Sequence, residues 1–306
     1  LLYFGRRMTE RIEIEVWFAG DEQLANGYRC VLVPTAGDRL IFEREETYFH
    51  DRSKHPGKPY EIFLGAGHQE SLLRDTARRT GGVPSYVLTA MESWTIYHFH
   101  DTSDSAKVKQ TGDLADNRRL RHDASNLAAY LYFLREVEPD HYRNIVDTIR
   151  MVAPFFEDFD LRPSPLNPDK IKLEWRERGT DAYFDASTIS DGTLRFMCLA
   201  ALLLQPPDRL PSTILLDEPE LGLHPYAITI LANLLRSAAE QTQVIVATQS
   251  VTLVNQFEPD EVIVVDRKDG QSVFARLGAK EVEAWLDDYG LGDLWEKNVF
   301  GGRPTA

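Results

Sequence analysis

The spacing of apolar positions changes along the chain and divides it into three stretches. From 11 to 18 (RIEIEVWF) apolar and polar residues alternate, as in a strand with one face covered, and Asn26-Gly27 then has the composition of a two-residue hairpin turn. Strand patterns follow over 28–33 and 40–49, with Ala36-Gly37-Asp38 as a turn between them. The chain up to residue 65 or so therefore predicts antiparallel β structure. Another strand, 93–99, holds Trp94 and Tyr97, and the Asp-, Ser-, Lys- and Arg-rich stretch 101–121 predicts an exposed loop.

In the middle stretch the period becomes helical. Leu127, Tyr130, Leu131, Leu134 and Val137 share one face, and Tyr142, Ile145, Val146, Ile149 and Val152 share another; Pro139 opens the second helix and Pro154 closes it. No heptad repeat is sustained and no tract is of low complexity, which excludes a long coiled-coil arm within these residues. From residue 187 strands and helices alternate: helix 190–204, strand 213–216, helix 225–239, strand 243–248 and a short helix over 251–257. The runs ILL and VIVA are apolar on both faces, as a parallel sheet covered by helices requires. A hairpin (261–266 and 272–277 about Asp269-Gly270) and a closing helix over 280–289 with Trp285 end the pattern.

Composition narrows the classes. With 306 residues, 43% of them apolar, the chain can bury the core of one large domain or two lobes. It carries 34 basic and 48 acidic residues, a net charge of −14, which opposes unspecific attraction to nucleic acid or an anionic membrane; DNA contact would need a local patch. Arg118, Arg119, Arg121 and His122 form such a cluster, but Asp116 and Asp123 balance it, and a solvated loop is the expectation. Cys30 and Cys198 lie far apart within apolar runs, which suits buried thiols in a reducing compartment, and the cytoplasm is expected. No apolar run approaches the roughly 20 residues of a membrane span, and LLYFGRRM at the start has none of signal-peptide length.

The chemistry gathers around 213–225, TILLDEPELGLHP. An apolar strand that ends in Asp217-Glu218 at the carboxyl edge of a parallel sheet sets both acids in the crevice where such sheets bind ligands. An aspartate there suits magnesium, a hard cation that favours oxygen ligands, and Glu218 is placed to orient and deprotonate a water for phosphoryl transfer. Ser190-Asp191-Gly192-Thr193 opens an apolar helix, with Ser190 as N-cap and free N–H groups suited to an anion. Glu220 to His224 forms a loop ahead of Pro225, and Thr248-Gln249 follows the next strand, where the amide can reach a terminal phosphate or the water.

The order ISDGT, ILLDEPELGLHP, VIVATQS resembles the ABC-type ATPase heads of RecF-like and SMC-like proteins, and most closely the compact ATPases described as AAA-type. SWTIYHFHD (93–101), RHDASNLAAYL (121–131) and LGDLWEKNVFGGRP (291–304) look like the same family. The resemblance implies an α/β head with an antiparallel β lobe, a helical insertion and a mostly parallel sheet flanked by helices, divided as 1–100, 101–186 and 187–306. It implies that Ser190, Asp191, Gly192 and Thr193 are the signature motif, Asp217 the metal acid and Glu218 the catalytic one. Glu220 and His224 would then bound the D-loop, and Gln249 would be the switch residue. It further implies ATP and Mg2+ as cofactors and a head-to-tail homodimer with composite sites. A role in DNA maintenance or phage defence, beside a nuclease or other effector, would follow, with no membrane partner.

Asp191 stands where the wider class has glycine, and Gln249 where histidine is commoner; glutamine donates to phosphate but carries no charge. No GxxxxGK[ST] phosphate loop occurs in the sequence, since Gly57-Lys58-Pro59 lacks the upstream glycine and the hydroxyl residue. In the family that loop lies upstream of the segment resembling 1–20, so further residues are expected before Leu1. The alternative from a different class is a non-hydrolysing scaffold that binds no nucleotide. A metal nuclease fits less well, because only one adjacent pair of acids presents itself. His98 and His100 alternate on a strand near Asp101, yet without a third ligand they read as ordinary strand histidines. No GxSxG element and no Cys beside a base supports covalent catalysis.

Overall fold

A computed structural model of the chain describes residues 9–19, 23–37, 39–278, 282, 285 and 289–302. The chain forms two compact units, residues 1–94 and 95–306.

In the first unit, β1 (Ile12–Ala19), β2 (Leu24–Pro34), β3 (Leu40–Asp51) and β4 (Tyr60–Gly65) form an antiparallel sheet in that order. The turn expected at Asn26-Gly27 is not there: both residues lie inside β2, opposite Phe18 and Trp17. A glycine is needed at 27 for another reason, since a Cβ would stand 2.9 Å from the indole of Trp17, which covers the backbone and stacks on Tyr48. The local turn preference yields to a longer ladder whose register buries Tyr28 and Cys30. The turn at Ala36-Gly37 does join β2 to β3; Asp38 lies outside the described residues.

No element is assigned above to 66–92, where the structure has α1 (Leu73–Thr80) and α2 (Val83–Glu92). Gly81 and Gly82, with φ of 63° and 62°, separate the two helices in a conformation that side chains rarely adopt. Leu73 and Val87 close over Tyr28 and Cys30. Beneath them Glu45 is fully buried and accepts from the Tyr28 hydroxyl (2.7 Å), the Leu72 amide (2.8 Å) and the Ser71 hydroxyl.

The second unit begins along β5 (Trp94–Tyr97). The expected exposed loop over 101–121 is only partly exposed, because Ala106, Val108 and Leu120 are buried in the main core and Lys109 is buried with its ammonium on the Thr102 carbonyl. That segment also contributes β6 (Gly112–Asp113). Its basic cluster is balanced as expected, with Arg121 on Asp116 at 2.5 Å.

The two amphipathic helices are present as α3 (Leu127–Val137) and α4 (Pro139–Val152), each burying the predicted stripe except at its end, where Val137 is exposed and Val152 half-buried. Short strands follow: β7 (Phe156–Phe159), β8 (Lys170–Ile171) paired with β6, β9 (Glu174–Glu177) and β10 (Tyr183–Asp185), the sheet order being β10-β9-β7. Against α3 and α4 packs α5 (Asp191–Leu203), buried on every side from Leu194 to Leu203, as its unbroken apolar sequence demands.

A three-stranded sheet in the order β12-β11-β5 carries the edge of interest. β11 (Thr213–Asp217) and β12 (Gln243–Ala247) run parallel, joined through α6 (Pro225–Ala239), with Asp217 opposite Ala247. β11 is largely buried, whereas in β12 Ile245 is exposed, so the two-sided covering expected of VIVA does not hold for this strand among the described residues. Among the described residues β12 is an edge strand, with β11 as its one sheet neighbour.

α7 (Val251–Val254) is shorter than the helix expected over 251–257. β13 (Ile263–Lys268) and β14 (Gln271–Arg276) form the predicted hairpin, with φ of 51° at Asp269 and 80° at Gly270. The helix expected over 280–289 falls mostly outside the described residues, and α8 (Leu291–Glu296) follows it. None of the described helices is long and apolar enough to cross a membrane. Both cysteines are buried free thiols, and burial pushes that of Cys198 up to about 12, so it is not a nucleophile near neutrality.

Candidate functional site

β11 delivers Asp217 to the carboxyl end of the parallel pair, exposed, while Leu216 beneath it is buried. The Glu218 amide continues the ladder by donating to the Ala247 carbonyl at 2.8 Å. Its φ of 41° nevertheless lies in the left-handed region, uncommon for a residue with a Cβ and a form of strain that collects at functional sites. Buried Pro219 follows at once and turns the chain out of the strand. Glu218 accepts from the Gln249 amide (Nε2 to Oε1, 3.3 Å), so the strand-end acid and the residue after β12 are in contact.

Glu220 is buried, with Oε1 accepting from the Thr248 hydroxyl, which in turn accepts from the Ser250 amide at 3.0 Å. Its Oε2 has no hydrogen-bond partner among the described residues. The loop is thereby tied to the chain after β12 by a carboxylate that retains acceptor capacity. His224 caps α6: its Nδ1 accepts from the Tyr226 amide at 3.2 Å.

At the start of α5, Ser190 Oγ accepts from the Thr193 amide at 3.3 Å and lies 2.8 Å from the Thr193 hydroxyl. Asp191, in the first turn, is exposed. Gly192 meets the loop directly: a Cβ there would overlap the Gly222 carbonyl oxygen. Residues 190–193 and the loop from Glu220 to His224 are thus brought together, through backbone contact between Gly192 and Gly222. Asp217, Glu218 and Gln249 gather at the strand ends.

Two features were not assigned a role by sequence. Arg195, the one charged residue within the apolar run of α5, is buried; it donates from Nε to the Phe99 carbonyl (3.0 Å), from Nη2 to the His100 carbonyl (3.3 Å), and also to the Leu221 carbonyl. Burial lowers its pKa from the ordinary value, against the opposing pull of Asp191. It pins the segment after β5 and the loop after Glu220 to one helix, and a lone cation in an apolar helix was the available signal. The second feature is the His98/His100 pair, whose ligand nitrogens lie within 4.8 Å of each other and of a carboxylate oxygen of Asp217. A cavity of about 10 Å³, of the order of one water, touches His100, Arg195, Asp217 and Glu218.

This architecture is that of ABC/SMC-type ATPase heads. The crystal structure of an SmcHead bound to the C-winged helix domain of ScpA superposes with a TM-score of 0.51 at 13% identity, covering 90% of this chain and 76% of that one. The Smc head domain with an extended coiled coil from Pyrococcus furiosus, bound to the C-terminal domain of ScpA, gives 0.43 at 15% identity over 87% and 80%. The SMC head domain from Thermotoga maritima gives 0.38 at 14% over 83% and 74%. No curated protein matches the chain in sequence.

The chain belongs to the AAA-domain family described as "AAA domain, putative AbiEii toxin, Type IV TA system", whose model matches residues 75–255.

Proposed function

We propose that this chain is the ATP-hydrolysing head of an ABC-type protein that closes as a homodimer around nucleotide. The observation that carries this is the meeting of Glu218 and Gln249 at 3.3 Å beside Asp217, at the carboxyl end of a parallel strand pair. Asp217 is exposed and its carboxylate suits Mg2+, which when bound neutralises phosphate charge. Glu218 is the general base that orients and deprotonates the attacking water, and Gln249 holds Glu218 and donates to the terminal phosphate. Ser190, Asp191, Gly192 and Thr193 present the start of α5 to the nucleotide of a second copy, and Glu220 and His224 anchor the D-loop that supports them. The helical stretch, 101–186, passes closure on to an effector such as a nuclease, in DNA maintenance or phage defence.

The experiment is phosphate release and sedimentation with ATP, in a form of the protein that includes a phosphate loop. Glu218→Gln should reduce turnover by at least about a hundredfold, the low end of what a general base contributes, while favouring the ATP-bound dimer. Undiminished phosphate release in that variant would refute the assignment. A second reading, a scaffold that does not hydrolyse ATP, is favoured by the absence of GxxxxGK[ST] from these 306 residues. Calorimetry with ATP and Mg2+ on this chain and on a longer form separates the two: heat from neither supports the scaffold.

A further inference from the structure

The strand-end edge holds a ligand set of which the ATPase reading employs only Asp217. His98 and His100 follow directly on β5, two residues apart, and the closeness of their rings sets both on one side of the chain. The rings are tilted by 39° with centroids 6.3 Å apart. On that side lies the end of β11, and one ligand nitrogen from each ring and one oxygen of Asp217 all fall within 4.8 Å of one another. The third ligand missing from the sequence pattern is therefore supplied by a strand more than a hundred residues away.

The backbone carrying all three is held in place. The His98 amide donates to the His122 carbonyl at 2.9 Å, Arg195 holds the Phe99 and His100 carbonyls, and Asp217 sits in the parallel ladder opposite Ala247. Only side-chain torsions remain to be adjusted. Donors about 2.1 Å from a tetrahedral ion stand about 3.4 Å apart, and exposed His98 and Asp217 can rotate to close the difference.

We propose that His98, His100 and Asp217 form a binding site for a divalent transition-metal ion, with zinc the best match. Two imidazoles and one carboxylate are the three-ligand set that zinc accepts with water as the fourth, whereas magnesium favours oxygen ligands throughout. The site shares Asp217 with the ATPase reading but does not rest on it, because the three groups stand together whatever chemistry the edge performs.

The test is calorimetric titration of the 306-residue chain with ZnCl2 and with MgCl2, without nucleotide, and visible absorption with Co2+ as a spectroscopic substitute. One Zn2+ per chain is expected, bound at least a hundredfold more tightly than Mg2+, with Co2+ giving the intense bands of a four-coordinate site. His98→Ala, His100→Ala and Asp217→Asn should each weaken zinc binding at least tenfold, while His55→Ala in the first unit leaves it unchanged. Should His100→Ala fail to fold, exposed His98 decides the matter alone. Zinc affinity unaltered by His98→Ala, or no greater than that for magnesium, overturns the site. A chain that binds no zinc while a longer form binds ATP overturns this inference alone; zinc binding in a protein indifferent to ATP leaves it standing and removes the ATPase reading.

Discussion

Glu45-Glu46 on β3 and Asp217-Glu218 at the end of β11 are both consecutive acid pairs, and the fold treats them in opposite ways. Glu45 and Glu46 are 0% and 1% exposed in mid-strand. Glu45 is satisfied by Tyr28, Ser71 and Leu72; Glu46 is bonded by Arg44 and Tyr48, with Arg29 at 3.5 Å. The cost of that burial appears in the partners: burial and then Glu46 push the Tyr48 phenol up to about 12, and burial and then Glu45 raise Tyr28 further still. Asp217, by contrast, is exposed, and Glu218 has, among the described residues, a single weak amide donor, with a left-handed backbone. An acid whose acceptor capacity is used up holds structure together, and one left with capacity at a strand end is available to a ligand.

The sharpest way to break this contrast is to truncate one acid from each pair. Glu45→Ala strands the Tyr28 hydroxyl and the Leu72 amide in the core and should cost about 3 kcal/mol in urea unfolding of the intact chain. Asp217→Ala should stay within about 0.5 kcal/mol, as surface changes do. Equal losses would erase the distinction. Gly192→Ala tests whether the edge is held by backbone contact: overlap with the Gly222 carbonyl should destabilise by about 2 kcal/mol, read by the same unfolding curves. Ser190→Ala removes the α5 cap and should cost about 1 kcal/mol, a smaller shift in midpoint.

The mildest effect is one of pH. Burial raises the Asp185 carboxyl, but the Lys172 ammonium and the Ser187 amide together more than offset this and hold it below the usual carboxylate value. A depressed folded-state pKa contributes stability that is complete above the unfolded value, about 3.9, and is lost as pH falls through the folded one. Asp185→Asn should therefore lower stability at neutral pH and flatten that acid-side decline in thermal unfolding, leaving little difference from the unaltered chain at the acid extreme.

The legible parts of the molecule are those where a local pattern coincides with what the fold needs. Pro139 and Pro225 start helices where the sequence puts them, Ser190 caps α5, and the Asp269-Gly270 hairpin forms as expected. Asn26-Gly27 misled because its turn preference is local and weak, while the β2 register that buries Tyr28 and Cys30 is sustained along the strand. Residues 73–92 went unassigned because two helices of eight and ten residues hardly establish a period before Gly81-Gly82 interrupts it. The stretch 101–121 looked solvent-exposed because its charges outnumber the few apolar residues that anchor it to the core.

By itself the sequence determined the order of elements from residue 187 onward, the helix caps, and which acids stand at the end of a buried strand, since these follow from nearest-neighbour sterics and the period of burial. Only the tertiary structure decided that Gln249 reaches Glu218, that Gly192 touches Gly222, that Arg195 ties two loops to one helix, and that His98 and His100 share a corner with Asp217. Each of these joins residues far apart in the chain, and such a contact is set by the packing of whole elements rather than by any property a single segment carries.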